Sequence, residues 1–177
     1  MNSFSNRIIR AIRLDKNLYE EVEADKTATS QAMVVVILSS VAGGIGAGGI
    51  AGFKGIFWGC LAALVGWIIW AFITYLVGTK ILPTSQTRSD PGELLRTLGF
   101  AYSPGLLNIF CLVPVLGGIV RLITPFWMLI AWVIAVRQAL DYTSTARAVA
   151  VCIIGWLILV IIMVILHVLF PGAQAAL

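Results

Sequence analysis

Residues 55–77 read GIFWGCLAALVGWIIWAFITYLV and contain no charged side chain. A helix over this stretch is about 34 Å long at 1.5 Å of rise per residue, whereas the hydrocarbon core of a bilayer is roughly 30 Å thick. The nearest charges, Lys54 and Lys80, lie just beyond the two ends of the run. The stretch therefore predicts a helix that crosses a membrane.

The composition of the whole chain is also that of a membrane protein. Of its 177 residues, 60% are hydrophobic and 11% are charged, against about 25% charged residues in a typical soluble domain. The net charge of +4 arises from basic residues in short segments beside apolar stretches, which is typical of membrane topology signals. We therefore expect no nucleic-acid partner.

Four further apolar stretches predict helices, at residues 32–50, 98–113, 119–136 and 148–170. The second of these is short, but it follows Asp90-Pro91-Gly92-Glu93, which supplies an N-cap residue, a first-turn proline and a glutamate at N3. We expect this third span to begin near Pro91 and to bend at Pro104, with Asn108 beyond the bend. It should be buried, because neighbours must satisfy the backbone groups that the proline frees.

The distribution of charge favours five crossings with the N-terminus in the cytoplasm. With five spans, ten of the twelve basic residues and all eight acidic residues are cytoplasmic, which leaves Lys54 and Arg121 outside. If residues 98–113 did not cross, Arg137 and Arg147 would move outside, and the basic bias would fall to eight against four, with Arg121 counted outside in both cases. Because Lys and Arg are in excess on the cytoplasmic side, the sequence predicts an all-α, polytopic bundle of five transmembrane helices over residues 32–170, with an outer tail at 171–177.

The N-terminal segment, residues 1–31, is expected to be cytoplasmic or interfacial, since it lacks the apolar core of a signal peptide. Phe4–Leu14 predicts a short amphipathic helix with Arg7, Arg10 and Arg13 opposite its apolar residues. Such a helix can lie on the surface of an anionic leaflet; the alternative is that it packs on the protein's own helices. A second short helix, at 17–25, is expected to expose its acidic residues to solvent.

Three glycines in the first span and the turn after it predict a close helix contact. Gly44, Gly48 and Gly52 lie four residues apart, and small residues at this spacing let helix backbones approach each other in lipid. The contact is either within the chain or with a partner helix, so a homo-oligomer is one alternative.

Two ionisable residues belong to apolar stretches. Arg121 lies near the outer end of the fourth span, from which it can reach the lipid head groups, and His167 lies near the outer end of the fifth. Neither has a carboxylate at comparable depth, which argues against a proton or ion transporter. One imidazole without a second ligand is a poor metal site, so we interpret His167 as structural or interfacial, with contact to a pigment or quinone as the alternative.

The sequence contains no recognisable catalytic pattern. It has no Ser/His/Asp set, no HExxH, no paired carboxylates and no glycine-rich phosphate loop with its lysine. The three cysteines show no CxxC spacing and are interpreted as packing residues. We therefore expect no enzymatic activity, no cofactor and no metal.

Five short segments, taken in order, resemble the bacterial branch of the Yip1 family. They are Asn17-Leu18-Tyr19-Glu20-Glu21-Val22-Glu23-Ala24-Asp25, Thr97-Leu98-Gly99-Phe100-Ala101-Tyr102-Ser103-Pro104, Pro114-Val115-Leu116-Gly117, Val136-Arg137-Gln138-Ala139 and Thr145-Ala146-Arg147-Ala148. The resemblance covers roughly residues 17–168. It implies a five-helix bundle in the cell inner (plasma) membrane with a cytoplasmic N-terminus. We do not expect the Rab-type GTPase binding of eukaryotic members in this chain, because only Leu18-Tyr19 matches their Asp-Leu-Tyr-Gly-Pro motif.

The expected function is that of a non-enzymatic scaffold or interaction partner in membrane organisation or trafficking. Its expected partners are membrane lipids and another membrane protein or a second copy of the chain. Two alternatives are a channel or transporter for an uncharged or lipidic substrate, and an accessory subunit of a larger membrane complex.

Overall fold

The computed structural model describes residues 3–48 and 52–169, and every regular element in these ranges is a helix. Seven of the elements are α-helices: α1 Phe4–Ile12, α2 Lys16–Ala24, α3 Ala28–Gly46, α4 Gly52–Leu76, α5 Pro91–Phe100, α6 Leu116–Ala139 and α7 Thr145–Leu169. A π-helical turn, Val77–Ile81, extends α4, and a 3₁₀ helix, Ser103–Leu112, follows α5. Phe170 and the predicted outer tail lie outside the described residues.

Four of these helices are long and apolar enough to cross a membrane: α3, α4 with its π turn, α6 and α7. The protein is thus an all-helical membrane protein. The predicted third span is not one bent helix, and that prediction was wrong in its geometry. α5 ends at Phe100, and Pro104 stands in the first turn of the separate 3₁₀ helix. Within a continuous α-helix the ring of Pro104 would collide with the carbonyl of Phe100, so the helix ends first.

The start of α5 confirms the sequence signal ahead of the third span. The side chain of Asp90 accepts a hydrogen bond from the Glu93 amide at 2.9 Å, and the Glu93 carboxylate accepts one from the Asp90 amide at 2.9 Å. These reciprocal bonds form a capping box with Pro91 in the first turn. The predicted burial is confirmed around the proline, since Ser103, Pro104 and Gly105 are buried, whereas the end of the segment is exposed at Ile109, Phe110, Leu112 and Val113.

α3 runs parallel to α5 and the 3₁₀ helix for most of its length. Gly99 lies against Ala32, the Ser39 hydroxyl donates to the Tyr102 carbonyl at 2.8 Å, and Gly46 lies against the Asn108 carbonyl. Through these contacts the two segments of the chain run in the same direction. Ala32 and Gly46 are separated by about 21 Å of helix rise.

The contacts also define two ends of the bundle. At the first, which we call the charged end, Arg96 of α5 bonds to the Val22 and Glu23 carbonyls of α2, and the Tyr142 hydroxyl bonds to the Gly78 carbonyl. At the opposite end, Arg121 of α6 donates to the Gly46 carbonyl at 3.0 Å. α4 and α6 therefore run antiparallel to α3, and α7 starts at the charged end.

Burial is unequal along the long helices. In α7 the buried residues are Ala148, Val151, Cys152 and Gly155, whereas none of the described side chains from 156 to 169 is buried. In α4 the first buried residue is Trp67. We call the half of α4 before Trp67 and the half of α7 after Gly155 the outer halves; no described side chain in either of them is buried.

Candidate functional site

The N-terminal arginines hold α1 against the protein itself. Arg7 is 7% exposed; it donates to the carboxylates of Glu21 and Asp25 at 2.9 and 2.8 Å and to the amide oxygen of Gln31 at 3.0 Å. α1 is thereby fastened to α2 and to the first turns of α3. This geometry corresponds to the alternative in which α1 packs on the protein's own helices.

The other two arginines of α1 differ from Arg7 and from each other. Arg10 forms ion pairs with Asp15 and Glu21, whereas Arg13 is exposed. The end of α1 also reaches the bundle, because the Trp127 indole in the middle of α6 donates to the Ile12 carbonyl at 2.8 Å. Of the predicted surface set, Arg13 alone has an exposed side chain in the described structure.

The acidic residues of α2 are not one solvated face, which corrects the sequence-based expectation. Glu21 and Asp25 pair with Arg7, and the Gln138 amide donates to Glu20. Glu23 is half-buried, and one of its carboxylate oxygens lacks a hydrogen-bond partner among the described residues. Burial, reinforced by the negative charges of Glu93, Asp141 and Glu20, raises the pKa of Glu23 to about 8.

The predicted glycine row does not form one packing surface. Gly44 packs in the chain, since a Cβ there would lie 3.1 Å from Cγ1 of Ile56 in α4. Gly48 and Gly52, however, have φ angles of 86° and 60°. Their left-handed backbone serves the turn between α3 and α4, where glycine is favoured because it lacks a Cβ.

Closer contacts occur at glycines that the sequence analysis did not single out. A Cβ on Gly99 would lie 2.6 Å from the Cβ of Ala32, and one on Gly46 would collide with the Asn108 carbonyl. The sequence carries a signal for this face of α3, because small buried residues recur at spacings of three, four or seven residues: Ala28, Ala32, Ser39, Ala42 and Gly46. Such a pattern marks a helix-packing seam.

Arg121 and Asn108 meet at the end of the bundle away from the acids. Both line a cavity of about 360 Å³ with Gly43, Gly46 and Cys111. Arg121 bonds to the Gly46 carbonyl, at the end of α3, where exposed carbonyls attract a cation. Pro104 is buried about one turn of the 3₁₀ helix away from Asn108, so these two residues share an element but not this cavity.

His167 lines one end of a lateral cleft of about 590 Å³ between α4 and α7. Before His167, the α7 side of the cleft consists of Trp156, Leu159, Val160, Met163 and Val164, and the end away from His167 is aromatic. There the Trp132 ring lies 6.1 Å from the Trp70 ring and 5.5 Å from the Tyr102 ring, centroid to centroid. The cleft is an apolar space with polar atoms at both ends.

The described residues offer no grouping for metal chemistry. No cluster of three or more His, Cys, Asp or Glu side chains occurs within residues 3–48 and 52–169. Cys60, Cys111 and Cys152 are free thiols. The arrangement is therefore one of packing surfaces, ion pairs and an apolar cleft.

Comparison of the chain with protein-family models, curated proteins and solved structures gives no match.

Proposed function

We propose that this chain is a five-pass protein of the cell inner membrane, related to the bacterial Yip1 family, that acts as a non-enzymatic scaffold. In this proposal its N-terminus is cytoplasmic and its C-terminus is outside. It organises the membrane by binding lipids and another membrane protein or a second copy of itself.

The path of the third segment supports the fifth crossing. The segment from Gly99 to Asn108 runs alongside α3 from Ala32 to Gly46. Direct contacts join the two at both ends, Gly99 with Ala32 and Asn108 with Gly46. If α3 crosses the bilayer, α5 and the 3₁₀ helix cross the same depth in the same direction. The 3₁₀ rise of about 2 Å per residue also lets a short segment cover this distance.

The separation of charge supports the orientation. All eight acidic residues of the sequence lie in α2, α5 or the connections at the charged end, and Lys54 and Arg121 lie towards the other end. Because the end richer in Lys and Arg faces the cytoplasm, the charged end is the cytoplasmic one.

Cysteine labelling tests this topology. In a chain whose three cysteines are replaced by alanine, Gly118→Cys should react with a membrane-impermeant maleimide on spheroplasts. Ser144→Cys should react only after permeabilisation. A four-span topology with the same N-terminus would reverse both results, because residues 114–118 would stay inside.

One observation carries the interaction role: the outer half of α7 has no buried side chain among those described. Leu157, Ile161, Ile165 and Val168 follow one face of this half and are 48%, 57%, 50% and 70% exposed. We call them the outer α7 surface. A helix that makes few contacts with its own bundle is free to pack against a helix of another chain in the membrane.

Site-specific crosslinking tests this role. A photo-crosslinking residue at Ile161 should give a defined adduct, whereas the same residue at Ile123, an exposed position on α6, should not. Native mass spectrometry in a lipid-preserving polymer then identifies the adduct as a homodimer or a heteromer. A monomer with lipid alone, and no adduct at either position, would contradict the scaffold role.

Adjoining cavities favour the transport alternative. Asn108 borders both the cavity at Arg121 and a smaller one of about 160 Å³ lined by Ser39, Ser40 and Tyr102. These residues place polar groups along the inside of the 3₁₀ helix. Flux or lipid scrambling by purified protein in liposomes, above that of empty vesicles, would favour this function over the scaffold.

A further inference from the structure

We propose that the cleft between α4 and α7 binds a carbonyl-bearing ring with an apolar tail, which is the chemistry of an isoprenoid quinone. The ring would lie among Trp70, Tyr102 and Trp132, and the tail along α7 towards His167. This site goes beyond the scaffold role and does not depend on it.

The cleft has the size and lining of a small-molecule site. Its volume of about 590 Å³ lies within the roughly 300–1,000 Å³ typical of such sites. Gly66, which has no side chain, forms part of the α4 wall of the cleft. A Cβ on Gly66 would meet no other group within 4 Å.

The depth of the aromatic end suits a ring buried in the membrane. Trp70 lies eight residues before Gly78, which is at the charged end, so the two are separated by about 12 Å of helix rise. The aromatic end of the cleft therefore lies within the length of α4, away from the charged end.

Hydrogen-bond complementarity distinguishes a quinone from an acyl chain. Tyr102 lines the cleft, and its hydroxyl has no hydrogen-bond partner among the described residues. The indole nitrogens of Trp70 and Trp132 also lack an acceptor in the described part of the chain, but both are fully buried, so Tyr102 is the donor at this end of the cleft. An acyl chain offers no acceptor at this depth, whereas a quinone carbonyl can accept from Tyr102 and its ring can stack on the aromatic side chains.

The rest of the cleft matches an isoprenoid tail. Trp156 and His167, both cleft residues of α7, are about 16 Å apart along the helix axis. Between them the wall is apolar, with Leu159, Val160, Met163 and Val164 facing the space. Leu159, Val160 and Met163 lie on a different face of α7 from the outer α7 surface, and Val164 lies at the border between the two faces.

Tryptophan fluorescence tests the site. Decylubiquinone added to the purified protein in nanodiscs should quench fluorescence with a saturable component, because three of the six tryptophans line the cleft. Gly66→Leu should fill the cleft and weaken binding at least about 10-fold. Gly118→Leu is the matched control: a Cβ there also meets no other group within 4 Å, yet Gly118 does not line the cleft, and the dissociation constant should not change.

Tyr102→Phe isolates the hydrogen bond. It keeps the ring and should raise the dissociation constant by about 2- to 10-fold, as expected for one lost hydrogen bond. Quenching that is non-saturable, or equal in wild type and Gly66→Leu, would overturn the proposal. So would quenching by a brominated phospholipid that Gly66→Leu relieves but decylubiquinone does not displace, since the cleft would then hold an acyl chain. The scaffold role is measured separately by crosslinking at Ile161.

Discussion

Gly46 of α3 lies directly against the main-chain carbonyl of Asn108 in the 3₁₀ helix. A side chain at position 46 would have to displace a backbone group rather than a flexible side chain. Arg121 covers the same place, since it donates to the Gly46 carbonyl. Three elements, α3, the 3₁₀ helix and α6, are thus joined at one residue that has no side chain.

Gly46→Ala should lower the melting temperature of the purified protein, because the added Cβ cannot be accommodated without moving the backbone of the 3₁₀ helix. Overpacking of this kind costs about 1–3 kcal/mol. Gly43→Ala, one turn earlier in α3, is the control, because its Cβ would meet no other group within 4 Å. Equal melting temperatures for the two variants, measured in the same detergent, would mean that this contact does not constrain the fold.

Arg7→Met should loosen α1, because it removes the buried guanidinium that pairs with Glu21 and Asp25. We expect a loss of about 1–3 kcal/mol, below the cost of breaking a fully buried pair, since both carboxylates are partly exposed. Hydrogen exchange should increase across α1. Arg13→Met, at an exposed position, should leave both the exchange pattern and the stability close to wild type; an equal effect of both substitutions would point to net charge rather than pairing.

The contribution of Glu23 to the free energy of unfolding should fall as the pH rises from about 4.5 to about 8. Its folded-state pKa of about 8 exceeds the ordinary value of 4.5, so between these values the folded state binds more protons than the unfolded state. Glu23→Gln should remove this component and stabilise the protein most at pH 8. Thermal unfolding at pH 5, 6.5 and 8 checks this, and an unchanged slope in the variant would contradict the raised pKa.

Asp90→Ala should destabilise the start of α5 by about 1 kcal/mol, the usual cost of losing an N-cap side chain. The variant leaves the Glu93 amide without its acceptor. Ser85→Ala, an exposed position in the preceding loop, is the control. The melting temperatures of the two variants measure this cost. Equal melting temperatures would mean that solvent or lipid head groups replace the Asp90 cap fully.

Local features were predictable because neighbouring residues determine them. The capping box at Asp90 and Glu93 follows from a four-residue pattern, since each side chain bonds to the other's backbone. The long helices follow from the length and apolarity of their stretches. Pro104 predicted only a bend in one helix. It did not predict that α5 would end at Phe100 and that a separate 3₁₀ helix would begin at Ser103.

The sequence by itself determined the four long apolar helices, the cap of α5 and the concentration of charge in a few segments, because composition and short-range hydrogen bonding suffice for these. Only the tertiary structure decided that Arg7 is buried among Glu21, Asp25 and Gln31, that Gly46 rather than Gly48 or Gly52 makes the close contact, and that His167 shares a cleft with Trp70. These outcomes depend on which helix faces meet. Helix periodicity gives the faces, but the pairing of faces is set by packing between residues that are distant in the chain.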